Sequence, residues 1–192
     1  MKKIVLVGFG GHAKSVADTI ERTGQYNIVG YTDVKEDKER SRYKYLGTDD
    51  ALKDIYDSGI MCAAVGVGYM GKDDTRDKLY KMLKDIGFEL PVVVDPSSIV
   101  SETATIGEGT FIGKGAIVNA EAKVGKMCII NSKALVEHET VVGDYSHVAV
   151  GANLCGQVNL GDHVFVGAGA TVVQCVNVGA DSFIKAGEVY SG

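Results

Sequence analysis

The chain has no tryptophan, two prolines and four cysteines among its 192 residues, and only 7% of it is aromatic. Each scarcity excludes something. Glycine is abundant at 25 residues while proline is rare, which argues against a Pro/Gly-rich linker and for many tight turns. Cys62, Cys128, Cys155 and Cys175 form no C-x-x-C pair, so a dithiol redox motif and a zinc ribbon are absent and free thiols of a reduced, cytoplasmic protein are expected. Apolar runs are short. "MKKIVLVGFGGHAK" starts basic and turns apolar, but Ile4 to Val7 is too short for a signal-peptide core, and no run approaches the length that spans a bilayer. Basic residues are outnumbered by acidic ones, 20 to 25, for a net charge of −5, and no basic patch stands out, so nucleic acid is not an expected partner.

What is present falls into two grammars. Residues 1–91 alternate strand and helix signals. "KIVLVG" is an aliphatic run ended by glycine, and "HAKSVADTIERTG" spaces Ala13, Val16, Ala17 and Ile20 as a helix with Gly24 as its stop. "YNIVGYTD", "IMCAAVGVG" and "FELPVVV" read as further strands. "TDDALKDIYDSG" reads as a short helix capped by Thr or Asp, and "DDTRDKLYKMLKDIG" as a helix with its acids first and its lysines late. "KEDKER" at 35–40 reads as a solvated loop. The alternation predicts a small parallel, Rossmann-like sheet.

From 92 to 192 the period is six. Val94, Val100, Ile106 and every sixth residue onward to Ile184 are Val, Ile or Leu without a break. Two residues earlier the side chain is usually small, and one residue later it is often glycine. Alternation along a strand points the aliphatic and its small neighbour the same way, inward. Glycine is expected to relieve the corner where the chain bends. This pattern is a hexapeptide β-helix whose stacked coils bury a continuous core. Cys128 falls on a small inward position and is expected to be core. No insertion breaks the register, so no loop arm should leave the rod.

Into this rod is written "VEHETVVGDYSH", residues 136–147. His138 follows inward Val136 by two and falls at a corner, flanked by Glu137 and Glu139. His147 precedes inward Val148 and points outward. Asn131 occupies the glycine slot of its repeat, fit either for a left-handed corner or for touching a ligand. His163 lies in no motif and reads as surface. In the first half, Gly8-Phe9-Gly10-Gly11-His12-Ala13 fits G-x-G-x-x-[GA] between strand and helix, with Asp33 ending the next strand, a pattern whose physics is phosphate binding by helix N-terminal amides. The half is too short for a full NAD fold, and no separate catalytic domain accompanies it.

The strict [LIV]-G-x-x-x-x repeat resembles the hexapeptide-repeat acyltransferases, and "VGFGGHAKSVAD", "VGYTD" and "AVGVG" ahead of it narrow the likeness. Together they resemble the bacterial sugar acetyltransferases of the sialic acid O-acetyltransferase and UDP-4-amino-sugar N-acetyltransferase (bacillosamine) type. "NSKALVEHETVVGDYSHVAVGA" carries the most specific part. The resemblance implies a left-handed β-helix, acetyl-CoA as co-substrate, no metal, and a homotrimer with sites between subunits. It implies that His138 is the base and Glu139 raises its basicity. It places His147, Gly167, Ala168 and Ala186 at acetyl-CoA, and Gly10, Gly11, His12, Asp33, Gly66 and Asn131 at the nucleotide sugar. "VGVGYMGKDDTR" is longer than the family's "IGDNxxR", which leaves the sugar and nucleotide open, with Arg76 as a candidate partner. The family's "GxPAK" segment has no counterpart in "AGEVYSG", so closure of the CoA site is open too.

The expected activity is N-acetylation of the 4-amino group of a UDP-4-amino-4,6-dideoxy sugar, with O-acetylation of sialic acid or a related sugar as the alternative. A non-catalytic sugar-binding rod would have no need of the His–Glu pair. A β-helical zinc hydratase needs a close H-x₄-H pair, and the spacings from His138 are instead nine, to His147, and then sixteen, to His163.

Overall fold

The computed structural model describes residues 1–37, 42–71 and 73–192. Residues 38–40 of the charge run lie outside them. In the first half β1 (Lys2–Val7) is central to a parallel sheet, flanked by β2 (Tyr26–Thr32) and β3 (Cys62–Val65). Helix α1 (Gly11–Thr23) ends where Gly24 takes a left-handed φ of 65°. A 3₁₀ turn at Asp49–Ala51 leads into α2 (Leu52–Asp57), and Thr48 before it makes no capping bond through its side chain. Helix α3 (Thr75–Ile86) follows β3. The fourth strand expected from "FELPVVV" does not form in this sheet. Glu89 makes one bridge to Cys62, and Val93–Val94 already belongs to the rod. No helix among the described residues is long and apolar enough to cross a membrane.

The rod is a three-sided parallel β-helix of two-residue strands, each paired with the strand eighteen residues on. One face carries Val93, Phe111, Ile129, His147, Phe165 and Phe183. The second carries Ile99, Ile117, Leu135, Asn153, Thr171 and Val189. The third carries Thr105, Lys123, Val141, Asn159 and Asn177. The sixfold aliphatics and their small partners, Cys128 among them, form one buried column. The register runs one unit past Ile184, with Tyr190 in the aliphatic place.

Glycine serves the coil differently from the expectation. The bend is not at the residue after the aliphatic but two further on. Every sixth residue from Gly109 to Gly187 is left-handed, with φ between 54° and 71°, and Glu139, Gln157, His163 and Cys175 are among them. A left-handed non-glycine residue costs roughly 1–2 kcal/mol. The cost is offset by the bond each such amide makes to the coil before, as Glu139 does to Ala120 and Gln157 to His138. The glycines after the aliphatics answer to stacking. A Cβ on Gly143 would sit 2.4 Å from the carbonyl carbon of Gly161, and one on Gly167 would sit 2.4 Å from the amide of Ala186.

The first half docks on one face of the rod. Phe9, Ala13, Val16, Ala17 and Ile20 form a single buried cluster with Val93, Phe111, Ile129, Ala149 and Phe165. Burying the Phe, Val and Ile side chains among them stabilises by about 1.5–3 kcal/mol each. Polar contacts frame the seam: Thr19 donates to Asp95 at 3.0 Å, and Tyr80 and Lys84 both reach Glu108. Among the described residues, the contacts of the first half fall on this face and on the corners beside it.

Gly143→Ala should therefore destabilise by about 1–3 kcal/mol through overpacking of backbone on backbone. Gly151→Asn, at a left-handed corner with open space around it, should cost under about 1 kcal/mol. Urea midpoints of the two variants test this, and equal losses would contradict the stacking account.

Candidate active site

His138 lies in the turn from the second face to the third, so it occupies the rod edge opposite the face that the first half covers. Its side chain is half exposed. Nδ1 is 3.1 Å from Glu139 Oε2, and Gln157 Nε2 reaches the same oxygen at 3.1 Å. The His138 bond first, and the Gln157 bond next, hold the Glu139 carboxyl below the usual carboxylate range. An ionised carboxylate accepts, so Nδ1 donates and the lone pair is left on Nε2. Glu137 fixes the backbone beneath by accepting from the His138 amide and from Asn119 Nδ2, both at 3.0 Å. The imidazole lies over Gly156, where any Cβ would come within 2.7 Å of Cε1 and Nε2. Sequence reasoning found His138 and Glu139 but missed Gly156 and Gln157. The signal for both is the eighteen-residue coil, which sets 156 behind 138 and 157 behind 139.

The glycine-rich turn opens α1 with Gly10 as its cap residue and no side-chain cap. Nothing lies within 4 Å of where a Cβ on Gly10 or Gly11 would be, and both residues are exposed, so the start of α1 is open. That is a ready anion site. Asp33 is tied to the turn itself: Oδ2 accepts from the Phe9 amide at 2.6 Å and Oδ1 from the Val34 amide. Gly66 is buried, and a Cβ there would strike the Gly8 carbonyl at 2.4 Å and Ala13 at 2.5 Å, so its glycine is needed for packing β3 against α1.

Several positions take a setting different from the expectation. His147 points out of the rod, but the first half covers it and it is only 7% exposed. Its Nδ1 meets the Tyr69 carbonyl at 2.7 Å and its Nε2 meets Asn131 Nδ2 at 3.1 Å, which a neutral ring with the proton on Nδ1 satisfies at both ends. Asn131 is thus no left-handed corner; it steadies His147 and accepts from the Ser132 amide. His12 turns into the same seam, edge-on to Phe111, with Nε2 buried and unbonded. Arg76 is fully buried: its guanidinium donates to the carbonyls of Met127 and Val67, pinning α3 and the loop after β3 to the rod. His163, read as surface, is half-buried in the seam, with Nε2 2.8 Å from Asp77, its ring stacked on Tyr145 and its carbonyl accepting from Tyr69. Periodicity says which residues point outward; it does not say which of three faces another domain will cover.

Toward the far end, Gly167 is buried against the next coil, while Ala168 and Ala186 are exposed one coil apart and leave backbone accessible.

A small parallel nucleotide-type sheet docked on a hexapeptide β-helix defines a class of bacterial acyltransferases, and known proteins narrow it. Residues 3–83 match the family described as the PglD N-terminal domain. PerB from Caulobacter crescentus, solved with CoA and GDP-perosamine, is 32% identical with a TM-score of 0.90, over 97% of this chain and 87% of that one. The acetyltransferase domain of PglB from Neisseria gonorrhoeae, solved with acetyl coenzyme A, is 28% identical with a TM-score of 0.91, over 99% and 91%. The UDP-N-acetylbacillosamine N-acetyltransferase of Bacillus subtilis is 32% identical over 113 residues, 58% of this chain and 51% of that protein. The chain thus spans about half the length of that curated relative. The chain belongs to the family of bacterial hexapeptide-repeat sugar acetyltransferases, and its rod is the left-handed parallel β-helix of that family.

Burial lowers His147 to a pKa of about 4 and His12 to about 3, against 6.5 for the ordinary imidazole. Below pH 6.5 the unfolded chain binds protons that these folded rings refuse, so stability falls as pH falls until the folded groups titrate. The slope is about 1.4 kcal/mol per pH unit for each histidine. Urea midpoints at pH 7 and pH 5 should show a clear loss at the lower pH; equal midpoints would contradict it.

Proposed function

We propose that the chain is an acetyl-CoA-dependent N-acetyltransferase acting on the 4-amino group of a UDP-4-amino-4,6-dideoxy sugar. The observation that carries the reading is the His138–Glu139 pair, free at an exposed edge with its Nε2 lone pair available. His138 takes a proton from the amine as the nitrogen attacks the thioester carbonyl. Glu139 stabilises the imidazolium that forms. When the tetrahedral intermediate collapses, the C–S bond breaks and the imidazolium returns the proton to the leaving CoA thiolate. The products are an amide and free CoA. N-acetylation rather than O-acetylation is favoured by the relatives, whose names specify N-acetyl transfer to bacillosamine and perosamine sugars. The uridine form follows the curated relative, and the guanosine form of the Caulobacter protein is the comparison arm of the test.

The open amides of Gly10 and Gly11 receive the nucleotide diphosphate. Asp33, Gly66 and His12 shape that turn from below rather than touch the ligand. Ala168 and Ala186 leave room for the extended arm of CoA beside Gly167, and His147 serves by holding Asn131. Because His138 lies on the edge opposite its own first half, sugar bound at Gly10 and Gly11 meets the histidine of another copy. The working protein is therefore a homotrimer with sites between neighbours.

His138→Ala should lower the transfer rate by about 10²–10⁴-fold. The melting temperature should stay close to wild type, since the side chain is half exposed. Gly10→Asp should abolish sugar binding by placing a carboxylate where phosphate belongs. Mixing the two inactive variants as unfolded chains and refolding them should restore about a quarter of wild-type activity, because that fraction of neighbouring pairs joins an intact rod to an intact turn. Measured with UDP- and GDP-linked 4-amino sugars and acetyl-CoA, no recovery would sink the shared site. Full activity of His138→Ala would sink the base.

A further inference from the structure

The left-handed corner that carries Glu139 recurs one coil on at Gln157 and one coil further at Cys175. The three side chains therefore stack along one edge of the rod. Gln157 Nε2 is 3.1 Å from Glu139 Oε2, the oxygen that also takes His138 Nδ1. On its other side Gln157 Oε1 accepts from the Cys175 thiol at 3.3 Å. The amide has one orientation that suits both neighbours. A carboxylate needs a donor and a thiol needs an acceptor, and turning the amide over would set oxygen against carboxylate.

We infer that Gln157 is a positioning residue for acetyl transfer: it locks the Glu139 carboxylate in the rotamer that orients His138 and keeps the lone pair on Nε2. The inference rests on the His138 base proposed above and adds a member to it. Glu139 is exposed, and a carboxylate on an exposed corner would otherwise sample several rotamers, only some of which meet the imidazole. One further bond to a stacked amide removes that freedom. The charged neighbours of Glu139 on this edge are Glu137, His138 and, at the same corner one coil before, Glu121, and Glu137 is itself held by Asn119 and the His138 amide. Gln157 and the Cys175 thiol are the groups stacked behind. Gln157 acts through Glu139, the group it bonds.

Gln157→Met keeps the length of the side chain and removes both amide bonds. Its kcat should fall about tenfold, with KM for acetyl-CoA and for the sugar within about twofold of wild type, the pattern of a lost transition-state interaction. Gln157→Asn keeps the amide on a shorter stem and should retain more activity than Gln157→Met. The Glu139 carboxyl, followed by ¹³C NMR, should titrate at higher pH in Gln157→Met than in wild type. A side chain with only a packing role would leave that titration in place. Circular dichroism melting confirms that each variant folds. Unchanged kcat together with an unmoved Glu139 titration would overturn the inference. The NMR arm reads the Gln157–Glu139 bond without turnover, so it stands apart from the assignment of His138 as base, which fails instead if His138→Ala remains active.

Discussion

A strand amide in the rod finds its acceptor one coil away. Ile129 donates to Ser146, His147 to Val164 and Phe165 to Ser182, and the strands they lie in pair residue for residue at a spacing of eighteen. In-line stacking of this kind forces every coil to bend at the same three places. It favours a small inward residue before most of the aliphatics, and at positions such as Gly143 and Gly167 it brings backbone so close after the aliphatic that a Cβ fits poorly. It also projects the sequence onto edges. Residues eighteen apart become neighbours, and so His138 rests on Gly156 while Glu139 meets Gln157. The chemistry-bearing residues occupy outward and corner positions, which the core leaves free.

Much of this architecture is legible in the order of the residues alone. Sixteen aliphatics in unbroken register define the rod, and strand–helix alternation with a glycine-rich turn defines the half before it. The misreadings have physical causes. Glycine after the aliphatic looked like a bend because bends often use glycine, but close packing also selects it, and the bend itself tolerates Glu, Gln, His and Cys. His147 and His163 looked exposed because they project from the rod, yet one face of a triangular rod is covered and no periodicity names which. Arg76 looked like a ligand partner because it is a cation near a glycine loop. Its full burial and its carbonyl partners make it a pin between the halves.

That seam has an unusual electrostatic character. The Arg76 guanidinium and the His147 imidazole are buried there, with His12 and Asn131 half-buried beside them, and burial lowers the arginine to a pKa of about 10. Breaking such a buried arrangement on one side leaves a charge without its acceptors, which is far costlier than losing a surface pair. The seam is correspondingly suited to hold the first half in one position on the rod. Fixed orientation gives the glycine-rich turn and the histidine edge a constant relation within each copy.

The proposed function requires two copies, since the histidine edge faces away from its own first half. Specific activity measured across a dilution series, with sedimentation recording the assembly state at each concentration, tests this most directly. The account predicts that activity per chain falls in step with dissociation and vanishes for the monomer. A monomer that keeps full specific activity would contradict it.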